Sequence, residues 1–179
     1  MIIGLAGQAR AGKDTVADML VRRGFTKMAF ADPIYDAMLT MFGMTREFIE
    51  AHKEEPVGPG GKSPRFLMQT LGTEWGRDTV SKTLWLDILM GRAMACGGDV
   101  VVPAVRFENE AAAIREMGGH VVRVVRPDAP VVRQHASEAG VPDELVSWEL
   151  HNDSTIESLE RRVDVWLTAL AVVDAEGVQ

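Results

Sequence analysis

Cysteine is almost missing from this chain: Cys96 is the only one in 179 residues. A lone cysteine excludes a disulfide framework and a CxxC metal knuckle, and it fits a reducing, cytoplasmic location. No apolar run reaches the roughly 18 residues that a membrane-spanning helix needs. The opening stretch, Met1 to Gly7, is apolar but short for a signal peptide, has no basic leader and runs straight into a glycine-containing turn. An excess of positive charge is also absent, with 19 Lys and Arg against 26 Asp and Glu, a net charge of −7 and a pI near 5.1. That balance argues against a nucleic-acid polymer or a membrane surface as partner, since both are polyanions. A small anionic ligand stays open, because oriented backbone dipoles can hold phosphate on an acidic protein.

The composition is otherwise that of a globular protein, with 46% hydrophobic and 25% charged residues and a mean hydropathy near zero. The length suits one domain with a small insertion, and a chain of this size buries about 70% of its unfolded surface without a disulfide or metal staple. The ten methionines read as adaptable core filler and Cys96 as a small buried apolar residue.

Strand-like and helix-like stretches alternate along the chain. Ile2 to Ala6 reads as a buried strand, followed from Gly12 by a helix to about Arg23. Phe25 to Phe30 reads as a second strand, and Asp32-Pro33 opens a helix with proline in its first turn. Residues Glu54 to Lys62 hold three glycines and two prolines and predict a loop. Ser63 is placed to cap a helix whose Leu67, Leu71 and Trp75 would form a buried stripe. Further helices are expected over Trp85–Ala95 and Glu108–Met117, with strands at Val100–Val102 and Val121–Val125. In the last helix Ile156, Leu159, Val163, Trp166 and Leu170 share one face, and Ser154 with Glu157 has the spacing of a capping box. Strands separated by helices imply a three-layer α/β fold, a parallel sheet flanked by helices.

The chemistry is concentrated in Gly7-Gln8-Ala9-Arg10-Ala11-Gly12-Lys13-Asp14-Thr15, directly after the first strand and opening the first helix. G-x-x-x-x-G-K in that setting is a phosphate-binding loop. Glycines let the loop curl so that consecutive N–H groups face phosphate oxygens, the helix dipole adds to them, and Lys13 reaches the outer phosphates as a point charge. Asp14 stands where a hydroxyl normally ligates Mg²⁺, so the metal would be met by Asp14 or by Thr15 beside it. Asp32, just past the second strand, is expected at the carboxyl edge of the sheet, where open α/β sheets bind ligands. There it would orient an acceptor or join the magnesium shell, or else merely cap the Pro33 helix.

Four segments resemble the bacteriophage-type deoxynucleoside monophosphate kinases, a branch of the P-loop nucleotide kinases. They are GQARAGKDT, FADPIYDAM from Phe30, SPRFLMQTLGTEWGRD from Ser63 and VRFENEA from Val105. A weaker fifth joins His135-Ala136-Ser137-Glu138 to His151-Asn152-Asp153-Ser154. The resemblance implies a P-loop NTPase fold over residues 1–173, with a helical substrate-binding part at 32–97, a lid at 126–140 and a frayed tail at 174–179. It implies ATP- and Mg²⁺-dependent phosphoryl transfer to a deoxynucleoside 5′-monophosphate, in an enzyme whose relatives can dimerise. Gly7, Arg10, Ala11, Gly12, Lys13, Asp14 and Thr15 would hold the ATP phosphates and the metal. Lys13, Asp32 and Arg106 would serve the transfer. Arg65, Gln69, Trp75, Arg77, Arg106, Asn109 and Glu110 would face the acceptor with Asp32. Arg126 and Arg133 would belong to the basic lid, and Asn152 to a loop that contacts adenine.

Elementary physics supports several of these roles. Two phosphate-bearing substrates need cations from several directions, and the planar fork of arginine suits phosphate. Trp75 would stack on a base or, by its spacing with Leu67 and Leu71, lie in the core. One departure stands out: the family's aspartate before V-R-F is Ala104 here, which leaves Asp14, Asp32 or Glu108 to support the metal. Two other readings stay open, a P-loop kinase of another small acceptor such as dephospho-coenzyme A, and a catalytically silent nucleotide-binding relative.

Overall fold

The computed structural model describes residues 1–127 and 140–176, with side chains as far as 172. In chain order the helices are α1 (Lys13–Val21), α2 (Asp32–Phe42), α3 (Arg46–Ala51), α4 (Pro64–Gln69), α5 (Leu84–Cys96), α6 (Glu108–Glu116) and α7 (Ile156–Glu176). The strands are β1 (Ile2–Ala6), β2 (Thr26–Lys27), β3 (Val100–Val102), β4 (His120–Val125) and β5 (Trp148–His151). The chain divides into two compact units, Met1–Met28 with Cys96–Gln179, and Ala29–Ala95.

The first unit is built on a parallel sheet in the order β2-β3-β1-β4-β5, with Gly4 opposite Val102 on one side and Val121 on the other. On one face Ile3, Leu5, Val122, Val124 and Leu150 pack with Val16 and Leu20 of α1 and with Leu159, Val163 and Trp166 of α7. The alternation of a strand turns Gly4 to the opposite face, where Ile114 of α6 lies 2.6 Å and Val105 2.8 Å from the site a Cβ would take. Helices on both faces of a parallel sheet make the expected three layers.

Local expectations shift at four places. The second strand is only Thr26–Lys27, because the chain turns at once: Asp32 N–H bonds to Ala29 O at 3.0 Å, and the Asp32 carboxylate takes the Ala29 N–H. The cap of α7 is Thr155, one residue later than Ser154, with its hydroxyl accepting from Ser158 N–H at 3.3 Å. Consequently Ile156 sits in the first turn and is 55% exposed, while Leu159, Val163, Trp166 and Leu170 are buried. Helix α7 runs on to Glu176, past the point where a frayed tail was expected. Cys96 is exposed rather than buried.

The second unit is helical and has its own core of Met38, Met44 and Ile49, with Tyr35, Phe42, Leu67 and Met68 against it. Ser63 caps α4 as its spacing suggests, accepting from Phe66 N–H at 3.2 Å. The helix then widens into a π-helix over Thr70–Val80. The stripe expected from Leu67, Leu71 and Trp75 does not bury: Trp75 is 49% exposed. Trp85 decides which face turns inward. Its indole donates to Gly72 O at 2.7 Å, and its ring lies 2.6 Å from where a Cβ on Gly76 would be. A large flat ring can approach a helix this closely only over glycine, so Gly72 and Gly76 form the buried face and Trp75, one position away, turns outward.

Candidate active site

The loop between β1 and α1 has the shape its sequence demands. Gly7 has φ 130°, and a Cβ there would stand 2.3 Å from Val124 O, so both the dihedral and the space require glycine. Gly12 has φ 102°, and Arg10, at φ 64°, is the one non-glycine residue with positive φ among those described. The loop leads into α1 through Gly12 with no side-chain cap bond, which places the positive end of the helix dipole at the loop. Lys13 folds over the loop, its Nζ donating to Gly7 O at 2.7 Å and to Gln8 O at 2.8 Å.

A cavity of about 570 Å³ opens against this loop. Gly7, Gln8, Ala11 and Lys13 line one side, and Arg106, Arg123, Arg126 and Asp143 are among the residues that line the rest. Arg106 stands at the corner between β3 and α6. The corner is held by Glu110, a buried carboxylate that accepts from the N–H groups of Arg106 at 2.8 Å and Phe107 at 3.2 Å. Glu110 was expected to face the acceptor; its carboxylate is instead the N-terminal brace of α6, fixing the backbone from which Arg106 projects. Asn109 beside it is exposed, and Ala104 is half-buried in the turn that follows β3.

Arg123, which the sequence reading passed over, pairs with Asp143 at 2.6 Å and Glu149 at 3.2 Å and donates to Val141 O at 2.6 Å. The signal was present as a single charge inside the apolar run Val121–Val125. Asn152 approaches the phosphate loop from β5: its amide Nδ2 donates to Ala11 O at 2.9 Å. Asp14 is not among the residues lining the cavity; its side chain is 84% exposed and faces Lys27 at 3.5 Å. Thr15, in the same turn, is half-buried. Arg133 lies outside the described residues, as do His135 and Glu138.

The remaining predicted residues belong to the helical unit. Asp32 is the first residue of α2, after an Ala31 cap, and its carboxylate accepts from Ala29 N–H on one oxygen and from Arg46 on the other. Arg46, also missed from sequence, lies over the Tyr35 ring at 3.9 Å. The Tyr35 hydroxyl donates to Glu50, and burial followed by that carboxylate pushes the phenol up to about 12. The Glu50 carboxyl moves the other way, held below its ordinary range by Tyr35 and then by Lys53. Arg65 pairs with Glu54 on the surface, and Gln69 and Arg77 are exposed. Trp75 presents its indole to solvent with Trp85 behind it, ring centroids 6.5 Å apart and 50° between the planes.

A glycine loop and lysine at the carboxyl end of the central strand of a parallel sheet, with arginines around one cavity, define a P-loop phosphate-binding protein. The fold is shared with a dephospho-CoA kinase from Campylobacter jejuni, at a TM-score of 0.55 and 11% identity over 97% of this chain and 98% of that one. Likeness at that identity is one of fold. The family model for deoxynucleotide monophosphate kinase matches residues 60–163, and the chain belongs to that family. A protein of Acanthamoeba polyphaga mimivirus assigned as a deoxynucleotide monophosphate kinase is 32% identical, over 91% of this chain and 94% of its own. The deoxynucleoside-5′-monophosphate kinase of Escherichia phage T5 is 26% identical, over 85% and 89%.

Proposed function

We propose that this protein transfers the γ-phosphoryl group of ATP to the phosphate of a deoxynucleoside 5′-monophosphate, giving the diphosphate and ADP. The carrying observation is one cavity that collects the phosphate loop, Lys13, Arg106 and Arg126 in a member of this family. Phosphoryl transfer needs little covalent chemistry from the protein, so positioning and neutralisation of charge are the whole task. The loop N–H groups and Lys13 hold the β- and γ-phosphates, and Arg106 reaches the transferred group from the α6 corner. Arg126, which lines the cavity, holds the ATP phosphates from the end of β4. Arg65, Gln69 and Arg77 bind the acceptor, with Trp75 stacked on its base.

Magnesium fits the donor set present. Mg²⁺ keeps most of its waters and takes one or two protein oxygens beside the substrate phosphates, rather than a protein cage. Thr15, in the first turn of α1, would supply one oxygen, and Asp14, which faces Lys27 and does not line the cavity, would act only through water. When bound, the ion would neutralise charge on the ATP phosphates. Asp14 need not leave Lys27 to take part, since an outer-sphere contact through water serves the same end.

A coupled ADP-release assay with Mg·ATP and each deoxynucleoside monophosphate, beside ribonucleotides and dephospho-coenzyme A, tests the reading. Turnover of about 1–100 per second with at least one deoxynucleotide is expected. Turnover with dephospho-coenzyme A alone would reassign the acceptor. Binding of Mg·ATP without turnover would leave a silent relative, and Ala104 is the feature that would account for it. Trp75→Ala is expected to raise KM for the deoxynucleotide by roughly fivefold to a hundredfold, the worth of one base-aromatic stack. Because the indole is half-exposed, the melting temperature should stay close to wild type, whereas a core role would lower it.

A further inference from the structure

Asn152 follows β5, and its own N–H bonds to Val125 O at 2.7 Å, tying it to the end of β4. From there the side chain reaches back 141 residues in sequence and meets the carbonyl of Ala11 at 2.9 Å. A carbonyl accepts only, so the amide's N–H side must face it. The contact is close-packed as well as polar: a Cβ on Gly12 would stand 2.5 Å from Nδ2. Lys13, Ala11 and Gly7 line the cavity, and Asn152 does not. It therefore touches the loop from behind.

Resting on the kinase reading above, we propose that Asn152 is a positioning residue of the phosphate loop and not a base-contacting one. The argument is the planarity of one peptide bond. In a trans peptide the C=O of Ala11 and the N–H of Gly12 point in opposite directions. Holding the carbonyl on Asn152 therefore turns the Gly12 N–H away from Asn152, to the side where phosphate binds. Gly12, at φ 102°, is the joint most able to rotate in this loop, since glycine adopts positive and negative φ alike. The hydrogen bond removes that freedom before ATP arrives. Asn152 thus acts on the polyphosphate, whatever base is attached to it.

The test measures binding of Mg·ATP, Mg·GTP and magnesium tripolyphosphate by calorimetry, with steady-state kcat and KM, on the full chain. Asn152→Ala should weaken all three ligands by the same factor, roughly threefold to tenfold for a lost neutral hydrogen bond. The ratio of ATP to GTP should not move, and KM for ATP should rise more than kcat falls. Asn152→Asp keeps the shape against Gly12 but places a carboxylate against the Ala11 carbonyl, and it should be worse than alanine. A fall in ATP binding with tripolyphosphate unaffected would overturn the proposal and make Asn152 a base contact. Asn152→Asp behaving as wild type would overturn it too, leaving only packing. If the wild type binds neither Mg·ATP nor tripolyphosphate, the phosphate-loop reading itself fails; if it binds both and the variants match it, only the role of Asn152 does.

Discussion

Replacing Lys13 by alanine is expected to lower kcat/KM at least about a hundredfold, the scale of removing one preorganised charge from a transition state. ATP binding should fall with it, because the same ammonium serves the ground state. Its Nζ lies between the Gly7 and Gln8 carbonyls, at 2.7 and 2.8 Å, within the mouth of the cavity. Those bonds are charge-assisted, and an approaching phosphate competes for the same donor with a full negative charge. Removing the side chain leaves the backbone of β1 and α1 untouched, so the melting temperature should move little while activity collapses. Lys13→Arg separates charge from shape: a planar guanidinium keeps the charge but does not fit a point-charge site. Its activity should stay far below wild type. Activity unchanged in Lys13→Ala would remove the phosphate-loop assignment, and with it the reading of the cavity.

The parts legible in the sequence are those whose causes are local. The Gly7–Thr15 loop is read directly because each residue type answers a dihedral or a charge within nine positions. The same holds for Ser63 at the start of α4 and for the β-branched run of β3. The places that resist reading are settled by partners far away in the chain. Trp75 has the spacing of a core residue, but Trp85 claims the glycine face and turns it outward. Asn152 has no local feature that points to Ala11; the pairing of β5 on β4 brings it there. Arg46 becomes a partner of Asp32 only once α3 has folded beside α2. Glu110 is only half legible: it sits three residues after Phe107, where an N3 glutamate reaches back to the N-cap N–H, but Phe107 has no side-chain acceptor to complete a capping box.

Asp32→Asn is the second substitution with a large expected effect, and its size depends on which of two jobs the carboxylate does. The acceptor is a phosphate monoester whose second ionisation lies near pH 6, so its attacking oxygen is already charged at neutral pH and needs no base. A bare carboxylate beside it would repel it. Asp32 is not bare: one oxygen takes the Ala29 N–H and the other takes Arg46, which stacks on Tyr35. Its expected work is therefore to hold a cation, or a metal, in the path of the acceptor. Asparagine can still accept from Ala29 N–H but has no charge for Arg46, and kcat should drop roughly a hundredfold with KM for ATP little changed. The pH profile separates holding from deprotonation. If Asp32 holds, wild type and variant share one acidic limb near pH 6, that of the acceptor itself, and differ only in the height of the plateau. If Asp32 takes the proton from the acceptor instead, wild type keeps turnover below pH 6, where the acceptor carries its proton, and only the variant shows the limb. A variant with unchanged kcat and a stability loss of about 1 kcal/mol would reduce Asp32 to the brace at the start of α2. Arg46→Ala should then be equally silent in turnover, because the ion pair would have no substrate to serve.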